Sequence, residues 1–314
     1  MGGPARSSQP ICDNPKVRNS VLLCAAISFF LASIGVGAGS GDFRFAILGD
    51  RTGEAQPGVY EQVWREVDAW HPDMVINVGD TIQGGDDATA NREWLALKPL
   101  FAKYRKYPLY FTPGNHDIWS ETSRRIYERQ TRRPAHYSFD YGSAHFTVLD
   151  NSETESLSDG EMQFLAADLE KNKNRPLKFV FFHRPFWLIP VMLSGDFPLH
   201  RLAVQYHVQY IVSGHSHKFA RFEHGGVTYL MVGSSGGHLR GTGFEAGWFF
   251  HHVRATVAGG KIRMTIKEVD PPLGKGREFT GEDWGSGPFM RQKAAASARA
   301  AGGDTGRFTD RFAP

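Results

Sequence analysis

Five short apolar runs in this chain each stop at residues able to bind a metal ion, and that recurrence limits the possible folds more than any other feature. The runs Phe43 to Leu48, Met74 to Val78, Leu109 to Thr112, Phe179 to Phe182 and Tyr210 to Ser213 are followed by Asp50, Asp80, Asn115 with His116, His183, and His215 with His217. Runs of this length read as buried strands. In open α/β sheets, side chains beyond the carboxyl ends of neighbouring strands converge on one crevice, however far apart they lie in sequence. The adjoining Gly49, Gly79, Gly114 and Gly214 suit tight strand-to-loop turns.

Between these runs the sequence alternates with amphipathic segments, the pattern of a layered α/β fold. Val59, Val63, Val67 and Trp70 recur at helical spacing. A second helix is expected around Trp94 to Tyr104, interrupted at Pro99. Tyr137 to Tyr141 and His145 to Leu149 flank Gly142-Ser143 as a hairpin, which fits an antiparallel second sheet. Ser158 opens the helix marked by Met162, Leu165 and Leu169, with Glu161 at capping-box spacing. Another helix is expected around Leu199 to Tyr206. Further strands are expected through Phe219 to Phe222, Val227 to Val232, Trp248 to Thr256 and Ile262 to Val269. Beyond Asp270 the composition shifts to Gly, Ala, Ser and Arg, and residues 273–314 read as an irregular, disordered tail.

The 314 residues suffice for one large α/β domain. A net charge of +3 is too small for a nucleic-acid binder, and no nucleic-acid or protein partner is inferred. Residues 1–38 differ in character: Lys16 and Arg18 precede an apolar run from Val21 through Val36. This is the layout of an export signal, with Val36 and Ala38 as the small residues before a cut that leaves Gly39 first. The alternative is an uncleaved membrane anchor, since Ser20 to Ala38 is long enough to span a bilayer and Arg6, Lys16 and Arg18 would hold its start inside. Either route places the globular part outside the cell, periplasmic or extracellular. Both cysteines, Cys12 and Cys24, fall in this segment, so a cleaved chain would have no disulfide.

Imidazole, carboxylate and amide oxygen without thiolate suit Mn, Fe, Zn or similar divalent ions. A carboxylate can bridge two ions, and a pair of them would share a hydroxide, hold phosphoryl oxygens and offset the charge of an in-line displacement. That is chemistry for a phosphate ester substrate, mono- or diester.

Gly49-Asp50-Arg51-Thr52, Gly79-Asp80, Gly114-Asn115-His116-Asp117, His183-Arg184-Pro185 and Gly214-His215-Ser216-His217 together resemble the calcineurin-like metallophosphoesterase signature, in order, over Phe43 to Asp270. The resemblance implies a four-layer α-β-β-α sandwich with two mixed β-sheets, its metallophosphoesterase domain spanning residues 39–272. It also implies roles: Asp50 and His217 on a first metal, Asp80 bridging, Asn115, His183 and His215 on a second, and His116 facing the substrate as the group that protonates or stabilises the leaving oxygen. Asp117 is placed to orient His116. Arg51 and Arg184 directly follow metal ligands and are candidates to contact phosphate oxygens.

Two positions depart from the pattern. Thr52 stands where the first motif has a second histidine, which implies a weaker first metal site and keeps open a rival reading, a metal-binding scaffold with little turnover. Gln83 stands where purple acid phosphatases have a tyrosine, so that subgroup's ferric site is not expected. His251 and His252 sit in a strand-like aromatic run and read as packing residues. Gly233 to Gly237 lacks the lysine of a P-loop and reads as a loop near the site mouth. Trp119, Phe186 and Trp187 either line a substrate pocket or pack in the core.

Overall fold

Phe43–Leu48 forms β1, and its alternation explains the architecture around it. Phe43, Phe45 and Ile47 point into the largest apolar cluster, while Ala46 and Leu48 face the opposite side and pack with Val63, Trp64 and Val67 of α1 (Val59–Trp70). A strand with both faces buried needs a layer on each side. The computed structural model describes residues 41–270 and 275–290, and within them both layers are present.

The first sheet has the order β12-β11-β10-β1-β2-β3 and the second β4-β5-β6-β7-β9-β8. In the first, β1, β2 (Met74–Asn77) and β3 (Leu109–Phe111) run parallel, and β10 (His251–Ala258), β11 (Lys261–Glu268) and β12 (Glu278–Thr280) extend it antiparallel. In the second, β5 (Ala144–Val148), β6 (Leu177–Phe181), β7 (Tyr210–Ser213) and β9 (Val227–Met231) are parallel, with β4 (Tyr137–Tyr141) and β8 (Ala220–His224) antiparallel at the edges. The hairpin β4–β5 is present as read, but the sheet that receives it is mixed rather than antiparallel.

Phe45, Phe146 and Phe179 meet between the sheets, with ring centroids 5.3 Å apart from Phe45 to each of the others. On the outer face of the second sheet, Leu165 and Leu169 of α4 (Asp159–Lys171) and Leu199 and Ala203 of α6 (Pro198–Gln205) cover Val180, Phe182 and Ile211. The result is four layers: helices, sheet, sheet, helices.

Several elements differ from the sequence expectations. α2 (Asp87–Lys103) starts earlier than expected, capped by the Asp86 side chain on Ala88 N, and it runs through Pro99 without a break. Pro99 lies on the exposed side of the helix, as does Leu95, whose carbonyl loses its N–H partner there. Ser158 caps α4 by accepting from Glu161 N at 3.2 Å, but the box is half made, because the Glu161 carboxylate accepts instead from Asp150 N and meets His136. α3 (Glu121–Thr131) and α5 (Leu188–Met192) were not foreseen. The largest correction concerns the tail beyond residue 272. Glu278–Thr280 pairs with β11, and the short α7 (Gly281–Trp284) buries Trp284 completely against Phe219. The remainder of that tail, residues 291–314, and the expected export or anchor segment 1–38, with both cysteines, lie outside the described residues. Among the described residues no helix is long and apolar enough to cross a membrane.

Candidate metal centre

The carboxyl ends of β1, β2 and β3 from one sheet meet those of β6 and β7 from the other, so the residues just past these strands share one crevice. Two trios of ligand atoms lie within 4.8 Å of one another, Asp80 with His183 and His215, and Asp50 with Asp80 and His217. Asp80 belongs to both. Asn115 joins the first trio, its Oδ1 standing 3.2 Å from His183 Nε2.

The protons in this cluster can be assigned. His183 Nδ1 donates to the Val78 carbonyl at 2.8 Å, so Nε2 carries the lone pair of the neutral ring. That Nε2 faces Asp80 Oδ2 at 3.2 Å, Asn115 Oδ1 at 3.2 Å and His215 Nδ1 at 3.3 Å. Acceptors crowd one point with too few protons to share, and ligands roughly 2.0–2.2 Å from a common ion would stand about this far apart. His217 is set the same way: Nδ1 donates to the His238 carbonyl at 2.6 Å and Nε2 lies 3.6 Å from Asp50 Oδ2. Bonds from the remote ring nitrogen to backbone carbonyls are what fix imidazole ligands at metal sites. Asp50 is fully buried, and neither carboxylate oxygen has a hydrogen-bond partner. A buried, unpaired carboxylate is costly unless a cation compensates it. The donor set fits divalent ions on both sides of Asp80.

Burial and neighbouring charge act on these groups in opposite directions. Burial pushes the Asp50 carboxyl well up, with the charge of Asp80 adding to it and that of His183 opposing. Burial also opposes ionisation of Asp80, but the charge and hydrogen bond of His183 overcome it and hold the carboxyl low. Burial would lower His183, yet Asp80 and Asp50 carry it up to about 9. His215 is pushed down to about 3, by burial first and then by the charge of His183.

Close approach is built into the turns. A Cβ at Gly214 would lie 2.4 Å from Asp50 Oδ1, and one at Gly114 would lie 2.2 Å from Asp80 Oδ1. The Gly233 to Gly237 segment is not at the mouth, as the sequence suggested, but buried against Asp50, whose carbonyl accepts from Ser235 N and Gly237 N at 2.9 and 3.1 Å. It clamps the backbone that aims the carboxylate.

His116 is half-buried at the edge of the cluster, and its backbone N–H donates to Asp80 Oδ1 at 3.0 Å. The expected partner does not orient its ring. Asp117 turns the other way and accepts from Thr81 N, Ile82 N and Gly114 N at 2.9, 3.3 and 2.9 Å, bracing the turns that carry Asp80 and Asn115. Burial and the charge of Asp80 raise its carboxyl to about 7. His116 Nδ1 instead meets the backbone carbonyl of Gln83. The arginines have structural partners too: Arg51 donates to the Thr81 carbonyl at 3.0 Å, and Arg184 meets Glu155 at 2.5 Å and the Ser152 carbonyl at 3.3 Å. Thr52 is fully buried and donates to Gln83 Oε1 at 2.6 Å.

Sequence reasoning missed Gln83 as a contact of His116 and passed over Arg240. Arg240 is exposed, lies two residues past the carbonyl that holds His217, and adds to the lowering of both His215 and His217. The only sequence signal was the glycine-rich run that carries it. His251 and His252 are fully buried in β10, the first edge-on to Phe219 at 5.4 Å and the second on Glu66 at 3.2 Å, and they take no part in the centre. Trp187 is also buried and donates to Ser213 Oγ, which makes it a core residue, while Trp119 and Phe186 are half-buried.

A mixed two-sheet sandwich with a shared-carboxylate cluster at its strand ends defines a layered α/β protein with a candidate metal centre. The chain belongs to the calcineurin-like phosphoesterase family, whose model matches residues 43–219. Among solved structures it is similar to the purple acid phosphatase PPD1 from yellow lupin (Lupinus luteus) seeds, with 17% identity over 77% of this chain and 54% of that one and a TM-score of 0.55. It is similar also to GAP50, the anchor in the inner membrane complex of Plasmodium, with 15% identity over 76% of this chain and 88% of that one and a TM-score of 0.56. The chain spans about half the length of the lupin phosphatase, and at these identities the likeness is one of fold. No curated protein matches the sequence significantly.

Proposed function

We propose that the chain hydrolyses a phosphate ester at a centre of two divalent ions that share Asp80. The observation that carries this reading is the convergence of six ligand-type side chains from five strand ends, with buried acceptor atoms facing one another across Asp80. One ion would be held by Asp80, Asn115, His183 and His215, the other by Asp50, Asp80 and His217. When bound, such ions supply the charge that activates water for attack on phosphorus and neutralises the phosphoryl oxygens.

The chain's own residues do the rest. His116, at the rim beside Asp80, delivers a proton to the leaving oxygen. Arg240, and Arg184 once released from the exposed Glu155, attract and hold the phosphate. Asp117 keeps the two ligand turns in register. The reading extends to location: residues 1–38 direct the domain out of the cell, and N-terminal sequencing of the mature chain should find Gly39 first if the segment is cleaved.

The test is turnover of a chromogenic phosphomonoester and a chromogenic phosphodiester by the Mn-loaded protein, before and after chelation. His116→Ala should lower kcat by about 10² to 10⁴ while leaving bound metal unchanged, and the better substrate identifies the ester class. The scaffold reading draws on the engagement of Thr52 by Gln83. Full metal occupancy without turnover of either ester would favour it.

A further inference from the structure

We infer that Gln83 is a positioning residue for His116, held in place by Thr52. The inference rests on the assignment of His116 as the proton donor, and it concerns the two positions at which the motifs depart from their usual residues. The structure brings those two positions into direct contact.

Three bonds meet at Gln83. Its Oε1 accepts from Thr52 Oγ1 at 2.6 Å and from Glu54 N at 3.2 Å. A backbone N–H can only donate, so the Glu54 contact fixes which end of the amide faces the β1 loop. With the side chain anchored there, the backbone carbonyl of the same residue reaches His116 Nδ1. A carbonyl only accepts, so Nδ1 keeps its proton in the neutral and the protonated ring alike, and Nε2 is the nitrogen left to take up a proton and pass it to the leaving oxygen.

The neighbouring residue shows how closely the loop is fitted. Gly84 has φ +63, and a Cβ there would lie 2.0 Å from the His116 carbonyl oxygen and 2.5 Å from the Trp119 ring. Its N–H donates to Glu93 Oε2 at 2.9 Å, and Thr89 Oγ1 donates to Glu93 Oε1 at 2.8 Å, so α2 secures the far side. The loop is thus pinned to the Asp50 turn on one side and to a helix on the other, with the His116 ring leaning on the span between. Thr52 is fully buried, and its hydroxyl bond transmits the position of the Asp50 turn to the ring. Because Asp117 is occupied with Thr81, Ile82 and Gly114, the Gln83 carbonyl is the group that orients this histidine.

The experiment uses the full metal-loaded chain with 15N-labelled histidine and compares Thr52→Val, Gln83→Ala and Thr52→Ser with the wild type. It reads the His116 ring nitrogen shifts on the neutral ring, the bound metal, and kcat and KM on the better chromogenic ester. The expected result is a single tautomer protonated at Nδ1 in the wild type and a mixture in Thr52→Val and Gln83→Ala. In those two variants kcat should fall by roughly tenfold with KM nearly unchanged, as expected when a group acting on the transition state is misplaced. Thr52→Ser keeps the hydroxyl and should restore both readouts. The inference is overturned if Thr52→Val and Gln83→Ala keep the wild-type tautomer, or if kcat falls only in proportion to lost metal. A wild type without turnover would overturn the phosphoesterase reading instead, and the tautomer measurement would still decide this one.

Discussion

Arg240 and Arg184 stand on opposite sides of the question of how substrate is held. Arg184 already has a carboxylate partner, whereas Arg240 sits exposed on the loop whose backbone fixes His217. Arg240→Ala should therefore raise KM for a phosphate ester by roughly tenfold, one charge-assisted contact being about 1.5 kcal/mol, with kcat little changed, and Arg184→Ala should do less; steady-state kinetics on the two variants checks this. The residue types that meet in the cluster were legible in the sequence because each one closely follows an apolar run. Their backbone conformations were not. Asp80, His215 and His217 adopt φ of 54°, 71° and 51°, the left-handed region that side chains other than glycine enter at a cost of about 1 kcal/mol or more each. No local propensity announces such residues; tertiary packing imposes them. The partner of His116 was misread for a related reason, since adjacency in sequence says little about where a side chain turns after a strand.

At the scale of elements, the strands were easy to read and the last ones were not. Residues 278–284 carry few apolar positions, so neither periodicity nor composition marks them, yet Phe279 and Trp284 close the apolar cluster around Phe219 and Phe249. Trp284→Ala should destabilise the domain by about 3–5 kcal/mol, and a chain cut after residue 270 should lose a comparable amount, both read as shifts in denaturant midpoint. The helix α4 is fastened by a different device. His145, almost fully buried, lies between Asp168 Oδ2 at 2.9 Å and Asp140 Oδ1 at 2.7 Å. Burial alone would lower this imidazole, but its bonds to Asp168 and Asp140 raise it. A raised pKa gives stability that is complete below the ordinary histidine value near 6.5 and is lost as pH rises through the folded-state value. The wild type should thus exceed His145→Gln in stability at pH near 5.5 by more than at pH near 8.5; denaturation curves at the two pH values measure the difference.

For the whole molecule, the ligand sets on the two sides of Asp80 are unequal. Asp80, Asn115, His183 and His215 make four on one side, and Asp50, Asp80 and His217 make three on the other, where the Thr52 hydroxyl is already engaged by Gln83. Calorimetric titration of Mn into the ion-free chain should show two steps differing by roughly tenfold or more, the scale on which single groups around a metal act. Thr52→His should draw the weaker step toward the stronger. Asp50, Asp80 and Asn115 belong to the first sheet, and His183, His215 and His217 to the second, so an ion seated here rivets the two halves of the sandwich together at one end. The other end is closed by apolar packing, with Phe43 against Tyr141 and Phe146. Unfolding is therefore expected to begin as an unzipping from the ion end whenever the medium is poor in ions, and at free metal a hundredfold above its dissociation constant the rivet is worth about 2.7 kcal/mol. Trace metal in the surroundings would then set how long the protein survives as well as how fast it works.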